Sequence, residues 1–337
     1  MTLVWESGIT LQSPSNSIWK ITSDQVNPPG DAAITYDITN AGGVFNLRST
    51  GTVDYEVEWG DGNVEISTLN PLPHTYTAGN YTLGVYSDSV YRPFFNNVTA
   101  DASQITSVTI GPGANLGTVL ANAWYGASNM TSFVCAFDVT SGVTSFDTAW
   151  RDCTSLTSFS LINTSSGTNF NGAWRACTSL TSLPLIDTSS GTSFSGAWQG
   201  CNSLTSFPLI NTSSGTDFTA TWQNCSSLTS FALIDTSSGT NFLQAWRFCA
   251  SLSDFPANMF DTTGTLVATA FANAWNNCAL TAQSIENILV SLDTNGATGI
   301  TLSIDGGTNA AKTTWSAAAV TAYDNLITKG WTISFNA

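Results

Sequence analysis

The strongest constraint on the fold is a repeat of about 24 residues in the middle of the chain. Seven tryptophans lie at steps of 26, 24, 24, 24, 24 and 29 residues: Trp124, Trp150, Trp174, Trp198, Trp222, Trp246 and Trp275. A cysteine follows each of the last six at a distance of three residues: Cys153, Cys177, Cys201, Cys225, Cys249 and Cys278. Phenylalanine and leucine form two more columns with the same period. One unit has too few apolar residues for a core of its own, so the sequence predicts that the units stack and share one.

Each unit has the pattern F-x-x-A-W-x-x-C-x-S-L-T-S-F-x-L-I-N/D-T-S-S-G-T. The S-L-T-S-F-x-L part alternates as a short strand does, so successive units should form a parallel sheet. The Asn or Asp of the following turn should accept hydrogen bonds from backbone N–H groups. These residues are Asn163, Asp187, Asn211 and Asp235. The turn glycines should supply a positive φ: Gly167, Gly191, Gly215 and Gly239.

The columns over roughly residues 101–290 resemble the BspA-like leucine-rich repeat of bacterial surface proteins and phage genomes. Units of that family have the pattern M-F-x-x-C-x-x-L-x-x-L-D-L-S-x-F-D-T-S-x-V-T-x-M, and A-W stands here for M-F. The resemblance implies a right-handed β-solenoid that serves adhesion and carries no chemistry.

The segment before the repeat contains W-G-D-G at Trp59–Gly62 and H-T-Y-x-x-G-x-Y-T-L from His74. Both motifs resemble the PKD domain, a small immunoglobulin-like β-sandwich. We therefore expect four domains: an N-terminal arm over 1–28, the sandwich over 29–100, the repeats over 101–279 and a C-terminal cap over 280–337.

The C-terminal segment has helical spacing over Thr281–Leu292 and over Thr313–Thr328, and strand patterns over Gly299–Ile304 and Trp331–Phe335. It resembles the tails of phage-encoded repeat proteins. The predicted fold class is therefore mainly β: an N-terminal PKD/immunoglobulin-like β-sandwich, then a leucine-rich-repeat solenoid with an α/β C-terminal cap.

The balance of charged residues limits the classes of partner that the chain can bind. The chain has 8 Lys+Arg against 23 Asp+Glu, a net charge of −15, and only 9% charged residues. Such a surface argues against binding to nucleic acid, which needs Lys and Arg at the phosphates, and against anionic membranes. No apolar run predicts a membrane span, and the first twenty residues do not have the pattern of a secretory signal peptide.

The residues that usually carry chemistry are few. His74 is the one histidine, which excludes most triad and histidine–metal arrangements, and its place in the sandwich motif indicates a structural role. Asp61 is a weak calcium candidate beside the alternative of a turn-capping Asp. The cysteine column predicts buried free thiols and offers no paired zinc ligands. We predict no catalytic residue, no cofactor and no other metal, although spacing alone does not exclude a pair of glycosidase carboxylates.

The residue after each tryptophan is the candidate binding position. From the second unit onward it is always a hydrogen-bonding side chain: Arg151, Arg175, Gln199, Gln223, Arg247 and Asn276. If this column faces solvent, it forms a row of donors that could hold a polysaccharide or another protein. The alternative is that these long side chains only cover the tryptophans.

These features favour a non-enzymatic surface protein of a tailed-phage virion, either a receptor-binding tail fibre or a capsid decoration component. Its expected partners are other virion proteins, through the arm and sandwich, and a host surface glycan or protein, through the repeats. Point-group symmetry favours a homo-oligomer on a virion, and analogy with fibres and decoration proteins suggests a trimer. The alternatives are a bacterial cell-surface adhesin and a carbohydrate-active hydrolase that uses the PKD-like domain as an accessory module.

Overall fold

The computed structural model describes residues 10–12, 18–20, 34–50, 55–87, 90–96 and 99–337. The predicted N-terminal arm therefore lies outside the described residues, apart from two short paired strands. The strands are β1 (Thr10–Gln12), β2 (Ile18–Lys20), β3 (Ile34–Asn40), β4 (Gly43–Leu47), β5 (Tyr55–Glu58), β6 (Val64–Ser67), β7 (Leu72–Tyr76), β8 (Gly79–Tyr86), β9 (Ile105–Ile110), β10 (Ser132–Cys135), β11 (Ser158–Phe159), β12 (Thr301–Ile304) and β13 (Thr332–Phe335). The α-helices are α1 (Thr99–Ala102), α2 (Ala282–Asn295) and α3 (Ala317–Thr328).

One mixed sheet of seven strands joins the N-terminal strands to the start of the repeats. Its strand order is β11-β10-β9-β3-β8-β5-β6. Strand β9 pairs antiparallel with β3 and parallel with β10, so the sheet passes from antiparallel to parallel at β9. The predicted fold class is therefore wrong. It was a mainly β chain with a separate immunoglobulin-like sandwich, followed by a leucine-rich-repeat solenoid and a cap.

The strand predicted in every repeat forms only in the first two units, as β10 and β11. Proline explains where the ladder stops. The backbone N–H of Ser160 donates to the carbonyl of Phe133 at 3.0 Å, whereas Pro184 and Pro208 stand at the same place in the next two units and have no N–H. The later units consist of turns joined by isolated parallel bridges, such as Ser145 with Asn169 and Asn169 with Ser193.

We call the turn-rich units from 118 to 279 the repeat stack. Its tryptophan rings lie parallel to one another with centroids 5.0 to 6.1 Å apart, and all seven are buried. The phenylalanine column stacks in the same way at 5.1 to 5.5 Å. Each thiol of the cysteine column donates to the carbonyl of the tryptophan one unit earlier, as Cys201 does to Trp174 at 3.2 Å. All seven cysteines are free and buried, as predicted.

The turns confirm one sequence prediction and overturn another. The Asn or Asp side chain accepts from the backbone N–H two residues later, for example Asp187 from Ser189 at 2.9 Å. The prediction of a positive φ at Gly167, Gly191, Gly215 and Gly239 is wrong, because these glycines have ordinary φ values. The glycines leave room for a neighbouring ring: a Cβ on Gly215 would lie 2.5 Å from Cζ of Phe218.

The helices and strands predicted in the C-terminal segment are confirmed as α2, β12, α3 and β13. Thr281 and Ser316 cap the two helices by accepting from backbone N–H groups. Strand β12 continues the repeat stack through a parallel bridge between Phe271 and Leu302. The stack thus ends against regular secondary structure at both of its ends.

The N-terminal strands enclose a core of large aromatic and aliphatic side chains, including Phe45, Leu47 and Trp59. Asp101 of α1 is almost fully buried and accepts two hydrogen bonds from Arg48 at 3.0 and 3.1 Å. It also accepts from the backbone and side chain of Asn46. This ion pair ties β4 to the segment that leads into the repeats. Among the described helices, none is both long and apolar enough to cross a membrane.

Candidate binding site: the polar edge of the repeat stack

The backbone places the residues after the tryptophans in one row. The carbonyl of Arg175 accepts from the N–H of Asp152 at 2.8 Å, and that of Gln199 accepts from Ala176 at 2.7 Å. The same bond recurs between Asn224 and Arg247. Because each bond joins neighbouring units at the same position, the side chains of this row lie one repeat step apart. The predicted column therefore exists as a row, which we call the polar edge.

The full polar edge consists of Tyr125, Arg151, Arg175, Gln199, Gln223, Arg247 and Asn276, joined by Phe248 next to Arg247. The sequence pattern did not predict Tyr125 and Phe248 as members of this row. Tyr125 occupies the same position in the first unit, so the period alone could have found it. Phe248 is one residue further on, where no column was expected.

Two arginines of the edge stack on aromatic rings. The guanidinium of Arg151 lies 4.9 Å from the ring centroid of Tyr125, and that of Arg247 lies 4.5 Å from the ring of Phe248. Planar guanidinium groups on aromatic faces are held in place while their outer N–H groups stay free to donate. Arg175 lies between these pairs and is half-buried. The edge therefore presents two flat surfaces with hydrogen-bond donors beside them, one at Tyr125 and Arg151 and one at Arg247 and Phe248.

The amide members of the edge are partly used inside the protein. Gln199 donates to the side chain of Gln223, which is only 7% exposed and donates in turn to Gln244 at 3.3 Å. Asn276 donates to the carboxylate of Asp305 at 3.1 Å. The amides in the middle of the edge are therefore used in contacts within the protein, and the three arginines are half-buried.

The backbone beside the edge is strained at an exposed aromatic residue. The residues two positions after the tryptophans have positive φ, and most are Gly, Asn or Asp. Phe248 has the same conformation with φ of 63° and is 36% exposed. A bulky side chain in the left-handed region is a clear outlier, and such strain is concentrated at ligand-binding positions.

Acidic side chains partly neutralise the positive charge at the first part of the edge. Arg151, Arg175 and Arg247 are the only Lys or Arg residues between 101 and 279, so every cation of the repeats is in this one row. The Nε atom of Arg151 lies 3.6 Å from a carboxylate oxygen of Asp152. Burial raises the pKa of the Asp147 carboxyl, and the charge of Arg151 partly opposes this shift. The net positive charge of the edge is therefore concentrated at Arg175 and Arg247.

The other candidate residues lie away from the edge. The His74 ring stacks on Trp59 at 4.5 Å, and its Nε2 lies 2.8 Å from Asp61. Asp61 also accepts from the N–H of Asn63. Burial raises the pKa of Asp61, but these hydrogen bonds outweigh it and leave the pKa below its ordinary value. Asp61 therefore acts as a turn-capping residue, and within the described part of the chain no cluster of metal-ligating side chains includes it.

The chain was compared with known protein families and with curated proteins. No family model matches it, and no curated protein is significantly similar to it.

Proposed function

We propose that this chain is a non-enzymatic binding protein of a tailed-phage virion surface, which holds a host polysaccharide along the polar edge. It would act as a tail-fibre or decoration component. The observation that carries the proposal is Phe248, an exposed aromatic residue kept in a strained conformation beside the stacked guanidinium of Arg247.

The chemistry of the edge suits sugar rings. Aromatic rings provide flat apolar contact area at a low cost in side-chain entropy, and Arg donates in a fixed planar fork to hydroxyl or carboxylate oxygens. The row repeats at the unit step, so a polymer with a short repeat can contact several units in succession. Many weak contacts along one polymer give a high overall affinity through multivalency.

The strain at Phe248 gives the sharpest test. Asn224 and Asn277 occupy the same position in other units with φ of 62° and 61°. Phe248→Asn should therefore keep the fold and raise the free energy of unfolding by about 1 kcal/mol, because Asn tolerates the left-handed region. Binding to a panel of lipopolysaccharide, capsular polysaccharide and peptidoglycan should fall at the same time, measured by biolayer interferometry.

The matched control is Phe137→Asn, which removes an exposed aromatic ring away from the edge. It should leave polysaccharide binding unchanged. Replacing Arg151, Arg175 and Arg247 together by Ala should abolish binding in a chain that still folds. Unchanged binding in both edge variants would contradict the proposal.

Two further measurements address the rest of the proposal. Mass spectrometry of purified particles should find the chain in virions; its presence on a bacterial surface alone would instead favour the adhesin. Shortening of any polysaccharide by the purified chain would overturn the non-enzymatic assignment and favour the hydrolase.

A further inference from the structure

A second face of the repeat stack carries a row of exposed leucines. Leu161, Leu185, Leu209 and Leu233 are 49 to 65% exposed, although the isoleucine after each of them is buried. The residues before them are uncharged: Ser160, Pro184, Pro208 and Ala232. We call these four leucines the leucine stripe. An aligned apolar row on a chain of net charge −15 is a typical mark of an interaction surface.

From this stripe we infer that two copies of the chain associate face to face in antiparallel orientation. The two-fold axis lies in the interface, between the units of Leu185 and Leu209. This operation sets Leu185 of one copy against Leu209 of the other, and Leu161 against Leu233. A second copy has the same spacing between units, so each of the four leucines lies opposite a leucine of the other copy. The inference is independent of the proposed polysaccharide binding.

The turn residues next to the stripe determine the register. They alternate along the stack as Asn163, Asp187, Asn211 and Asp235, two residues after each leucine. In the antiparallel pair with a central axis, each Asp faces an Asn of the other copy. A shift by one unit would instead set Asp187 against Asp187, and like charges directly opposite are destabilising.

The hydrogen bonds within the turns leave the complementary atoms free to pair. The Oδ1 atoms of Asp187 and Asn211 accept from the N–H groups of Ser189 and Ser213 at 2.9 and 3.0 Å. The Oδ2 atom of Asp187 thus stays available as an acceptor, and the Nδ2 atom of Asn211 stays available as a donor. An amide donating to a carboxylate is a charge-assisted hydrogen bond, which is stronger than a neutral one.

The area of the stripe sets the expected strength. The four leucines are 49 to 65% exposed, and four such side chains bury much less than the roughly 800 Å² per partner of a standard interface. We therefore expect a dimer that dissociates on dilution. Sedimentation velocity on the full chain over a wide range of concentrations should show a monomer–dimer equilibrium. A chain that stays monomeric at the highest concentration would overturn the inference.

The stripe itself is tested with Leu185→Ser combined with Leu209→Ser. Both side chains are exposed, so the fold should be retained, and the dissociation constant should rise by at least about tenfold. The control is Leu69→Ser, which changes a leucine that is 60% exposed outside the repeats. Dimerisation that survives the double change, or that is lost in the control, would overturn the assignment.

The register is tested by exchanging turn residues at constant net charge. Asn211→Asp alone should weaken the dimer, because it faces Asp187. Adding Asp187→Asn restores an Asn–Asp pair at both places and should recover the dimer. Adding Asp235→Asn instead gives the same net charge but leaves two carboxylates face to face, so the dimer should stay weak. All these variants keep the Oδ1 atom that caps the turn. Equal affinities for the two double variants would overturn the antiparallel register.

Discussion

The repeat stack and the N-terminal strands stabilise their polar groups in opposite ways. In the stack, a polar group bonds to the residue at the equivalent position of the adjacent unit, as the Thr192 hydroxyl donates to the carbonyl of Thr168 at 3.1 Å. Around the N-terminal strands, polar groups bond to partners that are not repeated along the chain, as Asp101 does to Arg48 and Asn46. Charge is scarce in the stack because a charged column would repel itself at every step. A buried ion pair is found where the neighbours differ.

The largest expected effect that separates the two regions is alkaline unfolding of the stack. Burial raises the pKa of Cys225 from 9.0 to about 12, and burial raises the pKa of Tyr36 in the N-terminal core above 10.0. Each buried thiol stabilises the fold fully below pH 9 and loses that contribution by about 1.4 kcal/mol per pH unit above it. The stack should therefore lose stability from pH 9 upward, and the N-terminal core only above pH 10.

Circular dichroism and tryptophan fluorescence as a function of pH check this order. Replacing Cys201, Cys225 and Cys249 together by Ala should move the alkaline midpoint to higher pH, because three titrating groups are removed. Ala127 already fills the same column in the first unit, so the change suits the packing. A midpoint that does not move would show that the thiols are not responsible.

The next largest effect is expected for a tryptophan inside the stack. Trp198 contacts the stacked rings of Trp174 and Trp222, so Trp198→Ala should cost about 3–5 kcal/mol. Because repeats are stabilised mainly by their neighbours, urea unfolding should separate into two transitions. Trp59→Ala should cost a similar amount in the N-terminal core but should leave the stack transition intact. A single shared transition in both variants would contradict the distinction between the regions.

A smaller loss is expected when the unique ion pair is broken. Asp101→Ala leaves Arg48 and two donors of Asn46 without their acceptor, and should cost about 3 kcal/mol in thermal unfolding. Asp187→Ala in the stack removes only a turn cap and should cost about 1 kcal/mol. Equal losses at the two aspartates would refute the contrast.

The smallest effect concerns the turn glycines. Gly215→Ala places a Cβ against Phe218, and such overpacking should cost about 1–3 kcal/mol. Gly142→Ala is the control: Gly142 lies one position before Val143, which occupies the column of these glycines in the first unit, and no atom lies within 4 Å of its added Cβ. It should change the melting temperature very little. Destabilisation of equal size in both would mean that backbone freedom, and not space, explains the glycines.

The sequence predicted the stacking of tryptophan and cysteine, because a fixed period brings identical residues together whatever the local backbone does. It did not predict the sheet that crosses into the repeats, since the pairing of β9 with β3 joins segments about 70 residues apart. The strand prediction in later units overlooked Pro184 and Pro208, which remove a ladder donor. Gly167 was misjudged because the cause is the nearby ring of Phe170, a tertiary contact.

The polar edge could be predicted as a row but not as a surface. The spacing of Arg151, Arg175 and Arg247 fixed their alignment. Which side chains are free depends on rotamers, and these bury Gln223 against Gln199 while they hold Arg247 on Phe248. The exposure of the leucines could not be predicted either, because alternation within S-L-T-S-F-x-L-I does not say whether Leu185 or Ile186 points inward.

The hydrogen bonds between units have a consequence for how such a chain changes over generations. Thr168, Thr192, Thr216 and Thr240 each bond to the residue one unit before, in the same geometry and with the same atoms. A gene duplication or deletion of one unit would create a junction like the existing ones. Copy number thus becomes a heritable adjustment of length, which can change the reach of the molecule without any redesign of its ends.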